Sequence, residues 1–128
     1  MYEEIEMLAK RARAASVRLA QTSDDERNGA LRAMAQALRE SAPAVLKANA
    51  ADVAAAREKG TKESLIDRLL LTDARIEDMA VALESLAELP NPLGRTLEQR
   101  TLESGIRLER VSAPLGVVAV VYEARPNV

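Results

Sequence analysis

Apolar residues recur at spacings of three and four along most of the chain before Pro90, which is the period of amphipathic helices. Ser23 stands three residues before Glu26, as in a capping box. Pro43 closely follows Ser41, as at the start of a new helix. The pattern therefore predicts five helices, over Tyr2–Gln21, Asp24–Glu40, Ser41–Gly60, Thr61–Leu71 and Thr72–Leu89.

Beyond Pro92 the pattern changes to one of alternate apolar and polar positions. Alternation runs over Arg95–Leu102 and again over Ile106–Val111, with Ser104 and Gly105 between the two runs. This arrangement predicts a β-hairpin. Because a two-stranded ribbon is marginally stable alone, we expect this hairpin to pack against another element or to extend the sheet of a partner through its free edge.

The last apolar run, Val117–Tyr122, is unbroken and lies between Gly116 and Pro126. A strand that does not alternate is usually covered on both faces, as in parallel sheets of α/β proteins. Ligands bind beyond the carboxyl ends of such strands. The candidate site residues are therefore those at the end of the run, namely Tyr122, Glu123, Ala124, Arg125 and Asn127.

These elements predict an α/β fold that is helix-rich, with one hairpin and the first buried strand of a parallel sheet. A parallel strand needs a long crossover before its neighbour can pair, and the run lies at the end of the chain. We therefore expect the front part of a larger α/β protein. Its predicted parts are a helical region over 1–92, the hairpin over 93–112, and the strand with its site loop over 113–128.

Composition narrows the possible functions. Apolar residues make up 48% of the chain, but there is no Phe or Trp, and Tyr occurs twice, so any core is built from small side chains and is thin. A net charge of −2, with both signs interspersed, argues against a nucleic-acid surface.

Cysteine and histidine are both absent. Their absence excludes disulfides, a thiolate nucleophile, a histidine base and the usual zinc sites within these residues, and we expect no metal. The N-terminal residues lack the pattern of a secretory signal, and no apolar run is long enough to span a membrane. We therefore expect a cytoplasmic location without membrane contact.

Two side chains in the candidate site have chemistry of their own. Arg125 can hold a carboxylate or phosphate by paired hydrogen bonds, and Asn127 can donate to an oxyanion. The alternative is structural, with Arg125 paired to Glu123 or solvated and Asn127 bonded to the backbone. The same choice applies to Asn49 and Asp52, which lie three residues apart on a predicted helix and either meet a ligand or stabilise the fold.

Three sequence blocks carry a further signal, namely Ala48–Val53, Leu65–Thr72 and Ser104–Arg110, the last running on through Pro114–Val128. These blocks resemble the glutamate-5-semialdehyde dehydrogenase, or gamma-glutamyl phosphate reductase, family of the aldehyde dehydrogenase superfamily. The likeness covers nearly the whole chain but only about the first third of such an enzyme.

The resemblance implies reduction of L-glutamyl 5-phosphate with NADPH to L-glutamate 5-semialdehyde, in proline biosynthesis. In that family a cysteine thiolate attacks the acyl carbon, phosphate leaves, and a hydride from the nicotinamide reduces the thioester. Since this chain has no cysteine, the nucleophile and most contacts to the cofactor phosphates are expected beyond Val128. The chain alone is then expected to be inactive.

The resemblance also implies that the hairpin serves subunit association in a homo-oligomer, and that the loop from Tyr122 lies near the nicotinamide and the reacting carbonyl. Tyr122, Glu123, Ala124 and Arg125 are then candidates for binding cofactor or substrate, Arg125 on its chemistry alone. Asn127 is the candidate oxyanion donor, although the superfamily motif is Pro-Trp-Asn and this chain has Arg-Pro-Asn.

Two other functions remain open from the sequence. The chain can be a non-catalytic helical interaction module whose hairpin and apolar strand complete a partner's sheet. It can also be a regulatory piece that joins full-length subunits into mixed oligomers.

Overall fold

A computed structural model describes residues 2–122, which divide into two compact units. Unit 1 combines residues 2–24 with residues 90–119. Unit 2 combines residues 25–89 with residues 120–122.

Unit 1 consists of helix α1, Tyr2–Leu19, and the strands β1, Thr96–Thr101, and β2, Arg107–Val111. The predicted first helix and hairpin are thus confirmed. The apolar stripe of α1, however, is not buried, since Ile5 and Leu8 keep 59% and 65% of their surface exposed. Among the described residues of unit 1 none is fully buried, so this part of the chain has no core of its own.

The two strands pair antiparallel, with Thr96 opposite Val111 at one end and Thr101 opposite Arg107 at the other. A bulge interrupts the register at Leu97, because Thr96 and Glu98 are paired with consecutive residues of β2. Every residue of both strands is exposed. The ribbon is therefore held by its ladder and its two ends rather than by a buried face.

Both ends of the ribbon are closed by hydrogen bonds. At the turn, the Leu102 N–H donates to the Ile106 carbonyl at 2.9 Å. At the open end, the Ser112 N–H donates to the Arg95 carbonyl at 3.0 Å, and the Ser112 Oγ accepts from the Arg95 N–H at 3.0 Å. The same hydroxyl donates to the Pro92 carbonyl. Ser112 thus fixes the base of the hairpin.

Unit 2 is helical, with α2 at Asp24–Glu58, α3 at Glu63–Leu69 and α4 at Asp73–Ala87. The predicted helices before Leu71 and before Pro90 correspond to α3 and α4. All fully buried apolar residues of the described chain lie in this unit, and the three alanines among them confirm the expectation of a thin core. They are Ala35, Val53, Ile66, Leu71, Ile76, Ala80 and Ala87.

The prediction of a break at Ser41–Pro43 is wrong. A single helix of 35 residues runs through both predicted segments and contains Pro43. The physical reason is tertiary: Ala35, before the proline, and Val53, after it, are buried on the same face, about five turns apart. Packing of that shared face favours one continuous helix over the local preference for a break.

The predicted end of α2 at Gly60 is confirmed. Gly60 adopts a φ of 73°, and its N–H donates to the Arg57 carbonyl at 2.9 Å. The Thr61 N–H donates to the Ala56 carbonyl at 3.1 Å. This pair of bonds is a Schellman motif, which needs the left-handed backbone that glycine adopts at low cost.

The predicted buried strand at Val117–Tyr122 is not formed within the described residues. No hydrogen-bonded strand occurs there, and Val118 and Val121 are 64% and 98% exposed. A buried strand requires a neighbouring strand and covered faces, whereas the sheet of the described chain contains only β1 and β2. Apolar composition alone therefore does not produce a ladder.

Candidate functional site

The predicted site falls largely outside the described part of the chain. Glu123, Ala124, Arg125 and Asn127 lie outside the described residues. Tyr122 lies within them, and its side chain is 61% exposed. The site formed by these five residues therefore stays a prediction, and Tyr122 is the one member that the structure describes.

The structure gives Asn49 a structural position. Its side chain is only 6% exposed. Its amide Nδ2 donates to the Leu69 carbonyl at 2.8 Å, and its Oδ1 accepts from the Leu71 N–H at 2.7 Å. Asp52, the other half of the predicted pair, is exposed. Of the two alternatives for Asn49, the stabilising one applies, since its amide binds backbone on both sides.

Asn49 thereby joins two of the three blocks that carry the family resemblance. Ala48–Val53 lies in α2, and Leu65–Thr72 contains most of α3 and the link to α4. The Asn49 amide thus supplies a donor for the Leu69 carbonyl and an acceptor for the Leu71 N–H, at the point where α3 ends. These residues thus hold the fold together within unit 2.

Two further side chains fix the same link. Arg75 Nη1 donates to the Leu70 carbonyl at 2.6 Å and to the Asp67 carbonyl, so it caps the free carbonyls at the end of α3. The Thr72 hydroxyl accepts from the Arg75 N–H at 3.2 Å, which is the bond of a helix N-cap. The link between α3 and α4 is therefore anchored by three side chains, Asn49, Thr72 and Arg75.

A charge cluster of unit 2 is centred on Arg39 of α2. Its Nη2 and Nε donate to the two carboxylate oxygens of Glu77 at 2.7 and 2.9 Å. Its Nη1 and Nη2 donate to the two oxygens of Glu84, at 2.5 and 2.9 Å. One guanidinium thus binds two carboxylates of α4, each in bidentate fashion, and we call Arg39, Glu77 and Glu84 the Arg39 clamp.

The electrostatics of the Arg39 clamp follow from this geometry. Hydrogen bonds from Arg39 hold the pKa of Glu77 and of Glu84 below their usual range. The bonds to Glu84 and Glu77 raise the pKa of Arg39 further above its already high value. All three groups therefore stay charged at neutral pH, and the clamp has the character of an ion-pair contact between helices rather than of an acid–base centre.

Sequence reasoning did not find the Arg39 clamp, although a signal was present. Glu77 and Glu84 are seven residues apart, two turns of a helix, and so lie on one face of α4. Arg32 and Arg39 have the same spacing on α2. Arg32 also pairs with the end of α4, with its Nη2 2.7 Å from Glu88 Oε1. Opposite charges repeated along one face of each helix attract each other, and so favour contact between α2 and α4.

Metal-binding groups and membrane-spanning helices are both absent from the described residues. Within residues 2–122, no group of three or more His, Cys, Asp or Glu side chains is arranged to hold a metal ion. Over the same range, no helix has the length and apolar character needed to cross a membrane.

Comparisons with known proteins give the chain its relationships. No protein-family model matches it. Among curated proteins, the gamma-glutamyl phosphate reductase of Thermobifida fusca is 46% identical over 125 residues, covering 98% of this chain and 30% of the relative. That of Erythrobacter litoralis is 50% identical over 124 residues, covering 97% of this chain and 29% of the relative.

Solved structures agree with the sequence relatives. The gamma-glutamyl phosphate reductase of Saccharomyces cerevisiae has a TM-score of 0.88 at 37% identity, over 94% of this chain and 31% of that one. The Thermotoga maritima enzyme has a TM-score of 0.77 at 40% identity, over 83% of this chain and 26% of that one. The helices and hairpin are thus a portion of a reductase fold.

More particularly, the resemblance to the gamma-glutamyl phosphate reductases inferred from the sequence blocks is confirmed, since relatives and solved structures of that name match nearly the whole chain. It spans about 30% of the length of the curated relatives that it matches, consistent with an N-terminal portion of such a protein.

Proposed function

We propose that this chain is the N-terminal portion of a cytoplasmic enzyme that reduces L-glutamyl 5-phosphate to L-glutamate 5-semialdehyde with NADPH, in proline biosynthesis. The observation that carries the proposal is 46% identity over 98% of the chain to a protein named gamma-glutamyl phosphate reductase. Identity at this level over the full chain supports a common activity for the longer protein.

The chemistry requires more than these 128 residues. The proposed mechanism uses a thiolate that attacks the acyl carbon and expels phosphate, and NADPH supplies the hydride that reduces the resulting thioester. The chain contains no cysteine, so it cannot supply that thiolate. We therefore expect the 128-residue chain to be inactive by itself, with the nucleophile contributed by additional sequence.

The described residues do not by themselves fit NADPH. Leu115–Val118 contains a single glycine rather than a dinucleotide fingerprint, and Tyr122 is the one described member of the candidate set. We assign the contacts to the cofactor phosphates to residues outside 2–122. Tyr122, Glu123, Ala124 and Arg125 are proposed to lie beside the cofactor and substrate.

Asn127 is proposed as the oxyanion donor. In a longer, active enzyme, Asn127→Ala should lower kcat by about 10²–10³-fold, because removing one donor costs that much in comparable sites.

Arg125→Gln should mainly raise KM for the acyl phosphate if Arg125 binds its anionic groups. The same change at Arg68, an exposed residue of α3, is the matched control and should leave both constants unchanged. Equal effects at Arg125 and Arg68 would count against a binding role.

The hairpin is proposed to mediate association into a homo-oligomer. Both of its strands are exposed along their whole length, and each strand's outer edge is unpaired within the described chain. Such edges pair readily with another strand. These exposed edges support a homo-oligomeric reductase. They also favour the alternative of a non-catalytic interaction module.

The deciding experiment compares the 128-residue chain with a longer protein that contains the same residues and the sequence that follows them. The assay measures NADP⁺ reduction during phosphate-dependent oxidation of glutamate 5-semialdehyde, the reverse of the proposed reaction. The longer protein should be active and the short chain inactive. A folded longer protein without this activity would overturn the proposal. A short chain that folds cooperatively at low concentration and binds a partner's sheet would instead support the interaction module.

A further inference from the structure

Pro43 creates a weak point within α2. Proline has no backbone N–H, so the carbonyl four residues earlier, that of Arg39, loses its usual helical donor. The proline ring also crowds that same carbonyl. In addition, proline disfavours helical backbone at the residue before it, here Ala42. A helix of this sequence should therefore bend or fray between Arg39 and Pro43 unless another contact restrains it.

The side chain of Arg39 provides a contact at that same turn. Its guanidinium donates to Glu77 at 2.7 Å and to Glu84 at 2.9 Å, and both acceptors belong to α4. The arginine side chain is only 30% exposed, less than either carboxylate, and paired bidentate bonds of this kind are directional. Arg39, whose carbonyl lacks its helical donor, is thus also the residue that binds two carboxylates of α4 through its side chain.

We propose that the Arg39 clamp is a lock that keeps α2 continuous through Pro43. Because Glu77 and Glu84 lie two turns apart on α4, binding both fixes the direction of the turn as well as its position. A single ion pair would restrain the position but leave the helix free to pivot. The clamp thereby replaces, through a neighbouring helix, the restraint that the missing hydrogen bond would give within α2.

The lock has a consequence further along the helix. Asn49 lies after Pro43 in α2. Its hydrogen bonds to the Leu69 carbonyl and the Leu71 N–H hold the link between α3 and α4. α4 in turn carries the two carboxylates of the clamp. Arg39 is therefore connected to α4, α4 to the α3–α4 link, and the link to Asn49. Asn49 is connected back to Arg39 by the segment of α2 that contains Pro43. If the clamp is loosened, this ring of contacts should loosen first at the proline.

The test is a double-mutant cycle on the 128-residue chain, read by amide hydrogen exchange. Arg39→Gln removes the clamp, and Pro43→Ala restores the missing helical donor. The reporting amides are those of residues 44–46, whose helical acceptors lie before Pro43. Amides of residues 52–56, in the same helix, are the internal reference. Arg32→Gln is the matched control, since it breaks the other ion pair between α2 and the end of α4, to Glu88.

With Pro43 present, Arg39→Gln should speed exchange at residues 44–46 by about tenfold relative to the reference amides. In the Pro43→Ala background the same change should have less than about a threefold effect. Arg32→Gln should give no local increase in either background. Glu84→Gln, which keeps Glu77 in place, should give an intermediate increase that also depends on Pro43.

Other outcomes would overturn the proposal. An equal effect of Arg39→Gln in both backgrounds means that the clamp docks α4 without supporting the proline. The proposal also fails if residues 44–46 respond no more than the reference amides. A wild-type chain with no protected amides in α2 likewise contradicts it, since no continuous helix would then exist. If Arg39→Gln fails to fold, Glu84→Gln in the two backgrounds carries the same comparison.

Discussion

At the scale of single residues, Asn49 is the buried polar side chain of unit 2. It is buried and uses both ends of its amide on backbone groups of the α3–α4 link. Asn49→Ala leaves the Leu69 carbonyl and the Leu71 N–H without partners, and should lower the free energy of unfolding by about 2–3 kcal/mol. Urea unfolding followed by circular dichroism measures the change.

A matched control is available one turn away on the same helix. Asp52→Asn alters a polar side chain that is exposed, so it should shift the free energy of unfolding by less than about 0.5 kcal/mol. Asn49→Asp should resemble Asn49→Ala, because a carboxylate cannot donate to the Leu69 carbonyl. An Asn49→Ala variant as stable as Asp52→Asn would contradict the anchoring role.

The charges of the Arg39 clamp give a second residue-scale prediction. Arg39 holds the pKa of Glu77 and Glu84 below their usual range, so their contribution to stability is fully present above that range. It is lost as the pH falls through the lowered pKa values, when both carboxylates become protonated. The difference in urea midpoint between wild type and Arg39→Gln should therefore be constant near neutral pH and shrink below about pH 4. A difference that persists undiminished to about pH 3 would contradict this account.

At the scale of elements, the hairpin depends on a residue outside its strands. Ser112 binds both Arg95 and Pro92 through one hydroxyl, at the open end where a ribbon frays. Ser112→Ala should speed amide exchange in β1 and β2 by about fivefold, as expected for loss of about 1 kcal/mol of hydrogen bonding. Ser104→Ala, in the exposed turn, is the control and should leave exchange unchanged. Equal effects at the two serines would show that the base is not the point of closure.

At the scale of the whole molecule, the described chain leaves an apolar run uncovered. Val120 and Val121 are 66% and 98% exposed, in a β-branched stretch without charge or proline. Such a stretch pairs with available strand edges, so the chain should associate as its concentration rises. Val120→Lys should weaken association by about tenfold and return the mass measured by sedimentation toward 13.9 kDa.

A charge added elsewhere separates this effect from simple repulsion. Leu115 is 92% exposed and lies just before the run, so Leu115→Lys adds the same charge at an exposed position outside it. It should leave association nearly unchanged if the valine run is the pairing element. Equal weakening by both lysines would point to net charge instead, and the run would lose its special role.

The elements that the sequence predicted well are those set by short-range signals. α1, α4 and the hairpin follow from the apolar period, from the helix start predicted at Thr72, and from Ser104-Gly105 between the two alternating runs. The lack of cysteine and the family resemblance were also readable directly, because they depend on residue identity alone. None of these features requires contact between distant parts of the chain.

Tertiary contacts decided the rest. The local chemistry of Pro43 favours a helix start, yet α2 runs through it, and buried residues before and after the proline share one face that favours a continuous helix. Asn49 could not be assigned from its neighbours in sequence, since its partners lie 20 and 22 residues away. The run at Val117–Tyr122 has strand composition but forms no strand, because a ladder exists only where a second strand is present to supply its hydrogen bonds.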